Sequence, residues 1–508
     1  MIQTNNSKKQ ISIGAVISYI AIFVNICATL FYTPWMKNQI GISNYGLYTL
    51  ANSLIAMFLL DFGLGSAISA FVSRYRAENN QEAISKLLGL VYKLYLIIDF
   101  FISVLLIIFF FCIHFIYKGL TPAEINVFKN IYIIVGLFSI FSFPFSILNG
   151  VYNAYEKFAA LKLIDLGQKL FSIALVTIVL LFGYGVTMLV LCNALSGLLA
   201  VLIKFIVFKV KFKIKANWKT NDMPLLKSIL IFSIWTFILG IAQRLTYNIA
   251  PSILGAVSDS YQIALYSPAS AIAGYFFTFA TAINGLFLPT ISRKIVEKKD
   301  EEILDTMIKV GKFQLVVLGL LYVGFFSVGK EFMSLWMGDE FLPSYYCVLL
   351  LAFPTIFEYS QQIAKTTIIA KNKVKYEAIG FLASSILNVV ISPFLAKKYG
   401  VYGVSVGILI TSMLNLIYIN IIYIKVLKLD MAKFYKSCYL RILLPLVLGM
   451  GISFFTVRFV PLNGWLGLIV KSCIVAFIFL LLVFIFHLTK YEKCWIFNFL
   501  KRKKETNE

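Results

Sequence analysis

Residues 11–36 read ISIGAVISYIAIFVNICATLFYTPWM, a run of largely apolar side chains with no charge in it. A helix needs about 20 apolar residues to cross a hydrocarbon core about 30 Å thick. The run is therefore long enough to span a bilayer. It is too long for the apolar region of a signal peptide, and no small-residue cleavage site follows it. We expect a retained membrane-spanning helix here.

The rest of the chain has the same character. It is 60% hydrophobic and 14% charged, with a mean hydropathy of +0.87, whereas soluble domains are about 25% charged. Cutting it at charged or Gly/Pro-rich breaks gives fourteen apolar segments, centred near residues 23, 58, 102, 140, 173, 197, 243, 276, 322, 358, 386, 414, 449 and 477. The sequence predicts an all-α polytopic membrane protein with about fourteen transmembrane helices.

The basic residues indicate an orientation for these helices. The net charge is +23, and alternate loops hold about five times as many Lys and Arg residues as the loops between them. The densest runs are 209–215 and 501–504. This bias predicts a multi-pass protein with both termini in the cytoplasm, and it explains the charge without nucleic acid. Recognition of anionic membrane lipids by the same runs is an alternative.

Short segments recur at an offset near 218 residues. Residues 47–51 read LYTLA and residues 265–269 read LYSPA, while Pro34 in the first segment corresponds to Pro251 in the seventh. Six segments separate the copies, so both keep one orientation. The repeat predicts two parallel-related six-helix lobes around a central cavity. Such a bundle favours transport, although a purely structural duplication is the alternative. The predicted domains are an N-terminal lobe at 1–220, a C-terminal lobe at 221–430, and two additional helices with a basic cytoplasmic tail at 431–508.

The seventh segment contains a charged residue near its middle. Arg244, Tyr247, Asn248 and Pro251 are spaced i, i+3, i+4 and i+7, which places them on one helical face. A charge at the bilayer centre costs about 2.5–3.5 kcal/mol on insertion scales. A guanidinium group matches the geometry of phosphate oxygens. This face either lines a lumen, which the match to phosphate favours, or is buried between helices.

The tenth segment repeats this pattern with Glu358, Gln361, Gln362 and Lys365. These side chains either line a lumen or are buried between helices. The structural alternative for Glu358 is an ion pair with Arg244, and the alternative for Lys365 is extension of its ammonium group to the cytoplasmic interface.

Two further polar residues complete the candidate set. Asn25 belongs to a milder polar stripe in the first segment, and Asp61 lies near the middle of the second. The predicted substrate-binding residues are Arg244, Tyr247, Asn248, Glu358, Gln362, Lys365, Asn25 and Asp61.

Motifs for cofactors and for hydrolytic chemistry are absent from the sequence. There is no GxxxxGK[ST] loop for a nucleotide and no Ser/His/Asp constellation. The seven cysteines lack CxxC or metal-ligand spacing, and the two histidines lie apart near segment ends. We therefore predict no enzymatic activity, no cofactor and no metal.

Three stretches resemble a known family. They are Asn44-Tyr-Gly-Leu-Tyr-Thr-Leu leading to Leu60-Asp-Phe-Gly-Leu-Gly-Ser66, then Leu335-Trp-Met-Gly-Asp-Glu-Phe-Leu-Pro343, and Lys398-Tyr-Gly-Val-Tyr-Gly-Val404. They are similar to signatures of the bacterial O-antigen and polysaccharide flippases, which belong to the multidrug/oligosaccharidyl-lipid/polysaccharide exporter superfamily. The resemblance runs over essentially the whole chain.

The resemblance implies a function in the bacterial inner membrane. It implies transfer of an undecaprenyl-pyrophosphate-linked oligosaccharide, an O-antigen or capsule repeat unit, from the cytoplasmic to the periplasmic leaflet. Membrane lipids, a polysaccharide polymerase, chain-length machinery and a coupling ion are the implied partners.

Two rival functions stay open at this point. A multidrug/cation antiporter of the same fold is expected to have an acid in its first segment, and residues 11–36 have none. A membrane polymerase or ligase needs a large periplasmic loop, whereas the longest outside loop, near residues 118–127, is short.

Overall fold

Apolar helices account for the architecture of the protein. The computed structural model describes Ile17 and residues 20–488, except 59–61, 213, 215, 282–283 and 298. By length and composition, thirteen helices in this part of the chain could cross a membrane. They are Ile20–Ile40, Gln81–Ile116, Pro122–Ala154, Phe158–Leu181, Val186–Phe212, Met223–Asn248, Ser260–Thr281, Glu301–Met337, Asp339–Ser360, Val374–Tyr399, Val401–Lys425, Met431–Arg458 and Gly464–His487.

The remaining predicted segment is divided into two shorter helices. Ile42–Phe58 and Leu64–Ala77 lie on either side of a turn, so neither reaches the length of a full span. Phe62 and Gly63 in this turn have φ values of 54° and 69°. Counted as the second span, this pair brings the total to the predicted fourteen, and the helical membrane fold is confirmed.

The breaks within the spans follow the sequence repeat. The first span contains a π-helical turn at Ala28–Tyr32, and the seventh contains one at Arg244–Asn248. The fourth span is interrupted by a 3-10 turn at Phe143–Ser146, and the tenth changes helix at Gln361. These positions differ by about 218 residues, the offset found in the sequence. The two halves therefore repeat their local irregularities as well as their apolar segments.

The described residues divide into two compact units. The first covers the chain up to Ser267 together with Phe381–Val404, and the second covers Pro268–Gly380 together with the chain from Ser405 onward. The seventh span thus belongs to the first unit, although the repeat predicts a lobe boundary at 220. The division at 220 and 430 therefore stays a prediction.

A close contact in the first unit explains one of the family-like stretches. A Cβ atom at Gly46 would lie 2.1 Å from the carbonyl oxygen of Ser260, so no larger residue fits without a shift of the backbone. Beside it, the hydroxyl groups of Tyr45 and Ser267 are 2.8 Å apart. The Tyr-Gly pair in residues 44–50 therefore anchors the second span to the start of the eighth.

An ion pair lies in the interior of the second unit. Lys471 Nζ lies 2.7 Å from Glu331 Oε2, and the lysine side chain is 8% exposed. The pair joins the ninth and fourteenth spans. Because each charge compensates the other, both can lie among apolar helices.

Candidate functional site: a π-helical turn in the seventh span

The seventh span changes its winding just before a proline. Its α-helix Met223–Gln243 passes into the π-helical turn Arg244–Asn248, and a further helix, Ala250–Val257, follows with Pro251 in its first turn. Proline lacks a backbone N–H and its ring clashes with the carbonyl group four residues earlier. The widened turn removes that clash, and π-helical turns occur frequently at functional sites.

This turn brings three of the predicted residues together. Arg244 Nη1 donates a hydrogen bond to Asn248 Oδ1 at 3.4 Å, as their i, i+4 spacing predicts. Arg244 is half-buried, whereas Tyr247 is 40% exposed. The ring of Tyr247 lies 6.4 Å from that of Phe381. A guanidinium group, a phenol and a carboxamide thus share one turn.

A buried asparagine of the eleventh span supports the turn. Asn388 Nδ2 donates to the carbonyl oxygen of Leu245 at 3.1 Å, and Ser392 Oγ donates to Asn388 Oδ1 at 2.7 Å. Both side chains are fully buried. The sequence reasoning missed them, although an Asn and a Ser spaced i, i+4 in an apolar segment are a signal for such a role.

The first span has a related geometry around Asn25. This residue is exposed and lies three positions before the π-helical turn Ala28–Tyr32. Its carbonyl oxygen accepts a hydrogen bond from Thr29 Oγ1 at 2.8 Å. A proline follows the turn here too, because Pro34 lies in the first turn of the helix Thr33–Ile40. Asn25 thus lies beside a winding change equivalent to that of Arg244.

Asp61 lies outside the described residues. The next residue, Phe62, has a left-handed backbone, which is uncommon for a bulky side chain. Its ring stacks on Phe237 at 4.8 Å and meets the edge of Phe143 at 5.8 Å. Phe143 opens the 3-10 turn of the fourth span. The breaks of the second and fourth spans are therefore packed against each other.

The tenth span holds the other three predicted residues, in the second unit. Lys365 Nζ lies 2.8 Å from Glu377 Oε1 in the eleventh span. Glu358 is close enough to interact electrostatically with both. The carboxylate of Glu377 thus compensates the ammonium group of Lys365, and whether Lys365 also reaches the cytoplasmic interface stays an open alternative. Gln362 is 8% exposed, and its Oε1 has no hydrogen-bond partner among the described residues.

The helix of the tenth span is not continuous through this stripe. The α-helix Leu342–Ser360 ends before Gln361, and a second helix begins at Gln362. The backbone N–H of Gln361 donates to the carbonyl oxygen of Glu358, three residues earlier. Gln361 Nε2 donates to the Tyr439 hydroxyl at 3.1 Å. Gln361 therefore packs against the thirteenth span.

These two clusters offer charged groups and hydrogen-bond donors and acceptors. Among the described residues, no three His, Cys, Asp or Glu side chains come together as metal ligands do. Arg244, Tyr247 and Asn248 offer a cation, a hydroxyl group and an amide, which suit a phosphate and a sugar. Glu358, Lys365 and Glu377 form a group with two carboxylates and one ammonium.

Comparison with known proteins gives one matching family and several solved structures of similar fold. The sequence profile of a family described as polysaccharide biosynthesis protein matches residues 12–293, more than half of the chain. No curated protein sequence matches.

Three solved structures have a similar fold. The lipid II flippase MurJ, in an inward closed conformation, shares 16% identity over 91% of this chain and 97% of its own, with a TM-score of 0.69. An inward-facing multidrug resistance transporter of the MATE family in the MOP superfamily shares 13% over 76% and 91%, with a TM-score of 0.61. A MOP superfamily transporter from Pyrococcus furiosus, described as having a binding pocket of reverse polarity, shares 14% over 81% and 94%, with a TM-score of 0.57.

Proposed function

Because this chain belongs to the polysaccharide biosynthesis protein family, we propose that it flips an undecaprenyl-pyrophosphate-linked oligosaccharide, an O-antigen or capsule repeat unit. The movement runs from the cytoplasmic to the periplasmic leaflet of a bacterial inner membrane, by alternating access. The protein acts as a transporter and not as an enzyme, with both termini in the cytoplasm. A polymerase and chain-length machinery would then use the flipped unit.

The π-helical turn Arg244–Asn248 is the observation that carries this proposal. A guanidinium group makes bidentate hydrogen bonds to phosphate oxygens, and a pyrophosphate presents several of them. Tyr247 is the most exposed member of the turn, at 40%, and an aromatic ring with a hydroxyl group suits a sugar face. Asn248 adds an amide that can exchange hydrogen bonds with sugar hydroxyl groups.

We propose a different role for the tenth-span cluster, which consists of Glu358, Gln362 and Lys365 together with Glu377. Glu377 compensates the charge of Lys365 at 2.8 Å, so Arg244 is the better candidate for the pyrophosphate. Gln362 has a buried amide oxygen free to accept, and Glu358 adds a carboxylate. These acceptors suit sugar hydroxyl groups. Asn25 and Asp61 keep their proposed roles in the walls of the first and second spans.

The experiment compares a deletion strain with its parent. Without the protein, lipid-linked repeat units should accumulate on the cytoplasmic leaflet and the surface polymer should be lost. Radiolabelled sugar in the lipid fraction and immunoblots of surface polymer measure the two effects. Normal surface polymer together with altered efflux of drugs or cations would reject the proposal in favour of the antiporter.

Variants of Arg244 returned to the same strain test the residue. Arg244→Ala should reduce surface polymer at least about a hundredfold, since one bidentate charged contact is lost. Arg244→Lys keeps the charge without the fork and should restore part of the polymer. Arg441→Ala, which removes an exposed arginine of the thirteenth span, should export normally. Full export by Arg244→Ala at native abundance would exclude a role in binding pyrophosphate.

A further inference from the structure

A large cavity lies in the first unit, apart from the turn at Arg244. Its volume is about 970 Å³, and its walls come from the third, fourth and sixth spans and from the segment that follows the sixth. The interruption of the fourth span contributes Pro144 and Phe145. Pockets of about 300–1,000 Å³ are typical for small organic ligands, so the cavity is large enough to hold one.

Six of the thirteen residues that line the cavity are aromatic. They are Tyr92, Phe141, Phe145, Phe205, Phe208 and Trp218. Tyr92 and Trp218 stack with their centroids 5.8 Å apart. The segment bearing Trp218 is tied to the third span, because Lys93 Nζ donates to the carbonyl oxygen of Thr220 at 2.9 Å. The aromatic wall is therefore fixed in place before any ligand arrives.

A carboxylate lies among these rings, and the part of the chain that the structure describes forms no ion pair with it. Asp99 lines the cavity and is 9% exposed. Its Oδ1 has no hydrogen-bond partner among the described residues. A buried carboxylate is costly unless it is paired or hydrogen-bonded. A ligand that brings a positive charge to this point removes that cost.

Among the described residues that line the cavity, one is basic. Lys209 lines it, and its Nζ lies 5.1 Å from the centroid of the Phe205 ring. A cation already rests on an aromatic face there, as is typical of cation–π contacts. The ring faces of this wall are therefore suited to positive charge.

We infer that this cavity is a binding site for a lipophilic monovalent cation, meaning an ammonium or similar group on an apolar body. The cationic centre lies at Asp99, and the apolar body packs against the aromatic wall. A fatty acyl chain would fill the volume but would leave the carboxylate uncompensated. The site is independent of the flippase proposal, since it shares no residue with it.

Tetraphenylphosphonium and tetraphenylborate provide a matched pair of probes with nearly the same shape and opposite charge. Each is titrated separately into the purified full-length protein in detergent, with binding followed by isothermal calorimetry. The cation should bind at least about tenfold more tightly than the anion, since its charge meets the carboxylate. Equal affinity for the two ions would overturn the inference.

Variants of the residues that line the cavity test whether the cation binds there. Asp99→Asn should weaken binding of tetraphenylphosphonium at least about tenfold, whereas Asp165→Asn should not change it. Asp165 is the control because it belongs to the same unit and pairs with Lys204 at 2.9 Å outside the cavity. Asp99→Asn should fold normally, since it removes an uncompensated charge. Phe145→Leu, a second variant that removes the ring and keeps an apolar side chain, should weaken binding several-fold. Native affinity in both cavity variants would overturn the site.

A variant of Lys209 distinguishes a cation from an anionic lipid as the occupant of the cavity. Lys209→Gln removes a repulsive charge and should tighten tetraphenylphosphonium binding. If the occupant is instead a lipid held by its phosphate group, Lys209→Gln should decrease the amount of phospholipid that copurifies with the protein and leave the cation affinity unchanged. That second pattern would overturn the inference.

Discussion

At Lys365 the ammonium group lies 2.8 Å from Glu377, and the two side chains are 30% and 11% exposed. Removing Glu377 takes away the carboxylate that lies 2.8 Å from Lys365, and Glu358 is left to interact with the ammonium group. Glu377→Gln should therefore lower the free energy of unfolding by about 1.5–3 kcal/mol, the contribution of a hydrogen bond to a charged group. Lys365→Met leaves Glu358 and Glu377 without their cation and should lower it further. Chemical unfolding of the purified protein in detergent measures both.

The surface pair Lys299–Glu297 provides the control for this experiment. Its atoms are 3.0 Å apart, but both side chains are more than two-fifths exposed. Solvent screens such pairs, so Glu297→Gln should leave stability unchanged. If Glu377→Gln also unfolded like the native protein, the tenth-span pair would not be structural.

Contacts within one helix could be predicted from the sequence, whereas contacts between helices could not. Arg244 and Asn248 are joined as their spacing requires. The partner of Lys365 was not foreseen, because Glu377 lies on another span and spacing along one helix does not identify the neighbouring span. Asn388 was missed for the same reason. The substrate roles of the predicted residues stay predictions.

At the scale of the element, the winding of the seventh span depends on Asn388. Its amide satisfies the carbonyl group of Leu245 inside the π-helical turn, at 3.1 Å. Asn388→Ala leaves this carbonyl group buried without that donor and should cost about 1–3 kcal/mol of stability. Thermal unfolding in detergent measures the change.

Asn420→Ala is the matched control for this variant. Asn420 is 9% exposed, and its Nδ2 donates to Leu416 O, four residues earlier in its own helix. That carbonyl group keeps a helical partner, so the loss should be smaller. An equal loss in both variants would mean that Asn388 gives the π-helical turn no special support.

The sequence predicts the spans well and their irregularities poorly. Apolar length identifies a span because the bilayer requires about 20 helical residues. Gly183 and Gly185 mark the turn between the fifth and sixth spans in the sequence, and Gly183 has a left-handed backbone there, with a φ of 81°. Pro34 and Pro251 mark where winding changes, but a proline does not specify a π-helical turn. The change of helix at Gln361 has no proline beside it.

At the scale of the whole molecule, the repeat is the feature that orders the chain. The third and ninth spans are uninterrupted helices of 36 and 38 residues, Gln81–Ile116 and Asp300–Met337. The first and seventh spans share a π-helical turn before a proline. Equivalent positions thus keep equivalent irregularities, although few side chains match. The repeat was visible in the sequence because the turns and prolines recur.

The divided second span has a consequence for the order in which the chain enters the membrane. The turn at Phe62 and Gly63 interrupts this span, and the helix after the turn, Leu64–Ala77, has 14 residues, about 21 Å at 1.5 Å per residue, and is shorter than the hydrocarbon core. The acid at Asp61 further disfavours insertion. The insertion machinery should therefore pass this segment over until more apolar spans have been made.

A chain truncated after residue 80 tests this order. A single cysteine at position 79 should react with a membrane-impermeant thiol reagent from outside in the truncated chain, and should be protected in the full chain. A cysteine at position 156, in a chain truncated after residue 157, should be protected, since the long apolar helix Pro122–Ala154 precedes it. Protection of position 79 in the short chain would mean that the second span inserts unaided. Reaction of position 79 in the short chain would mean that the helices synthesised after the second span set the place of that span in the bilayer.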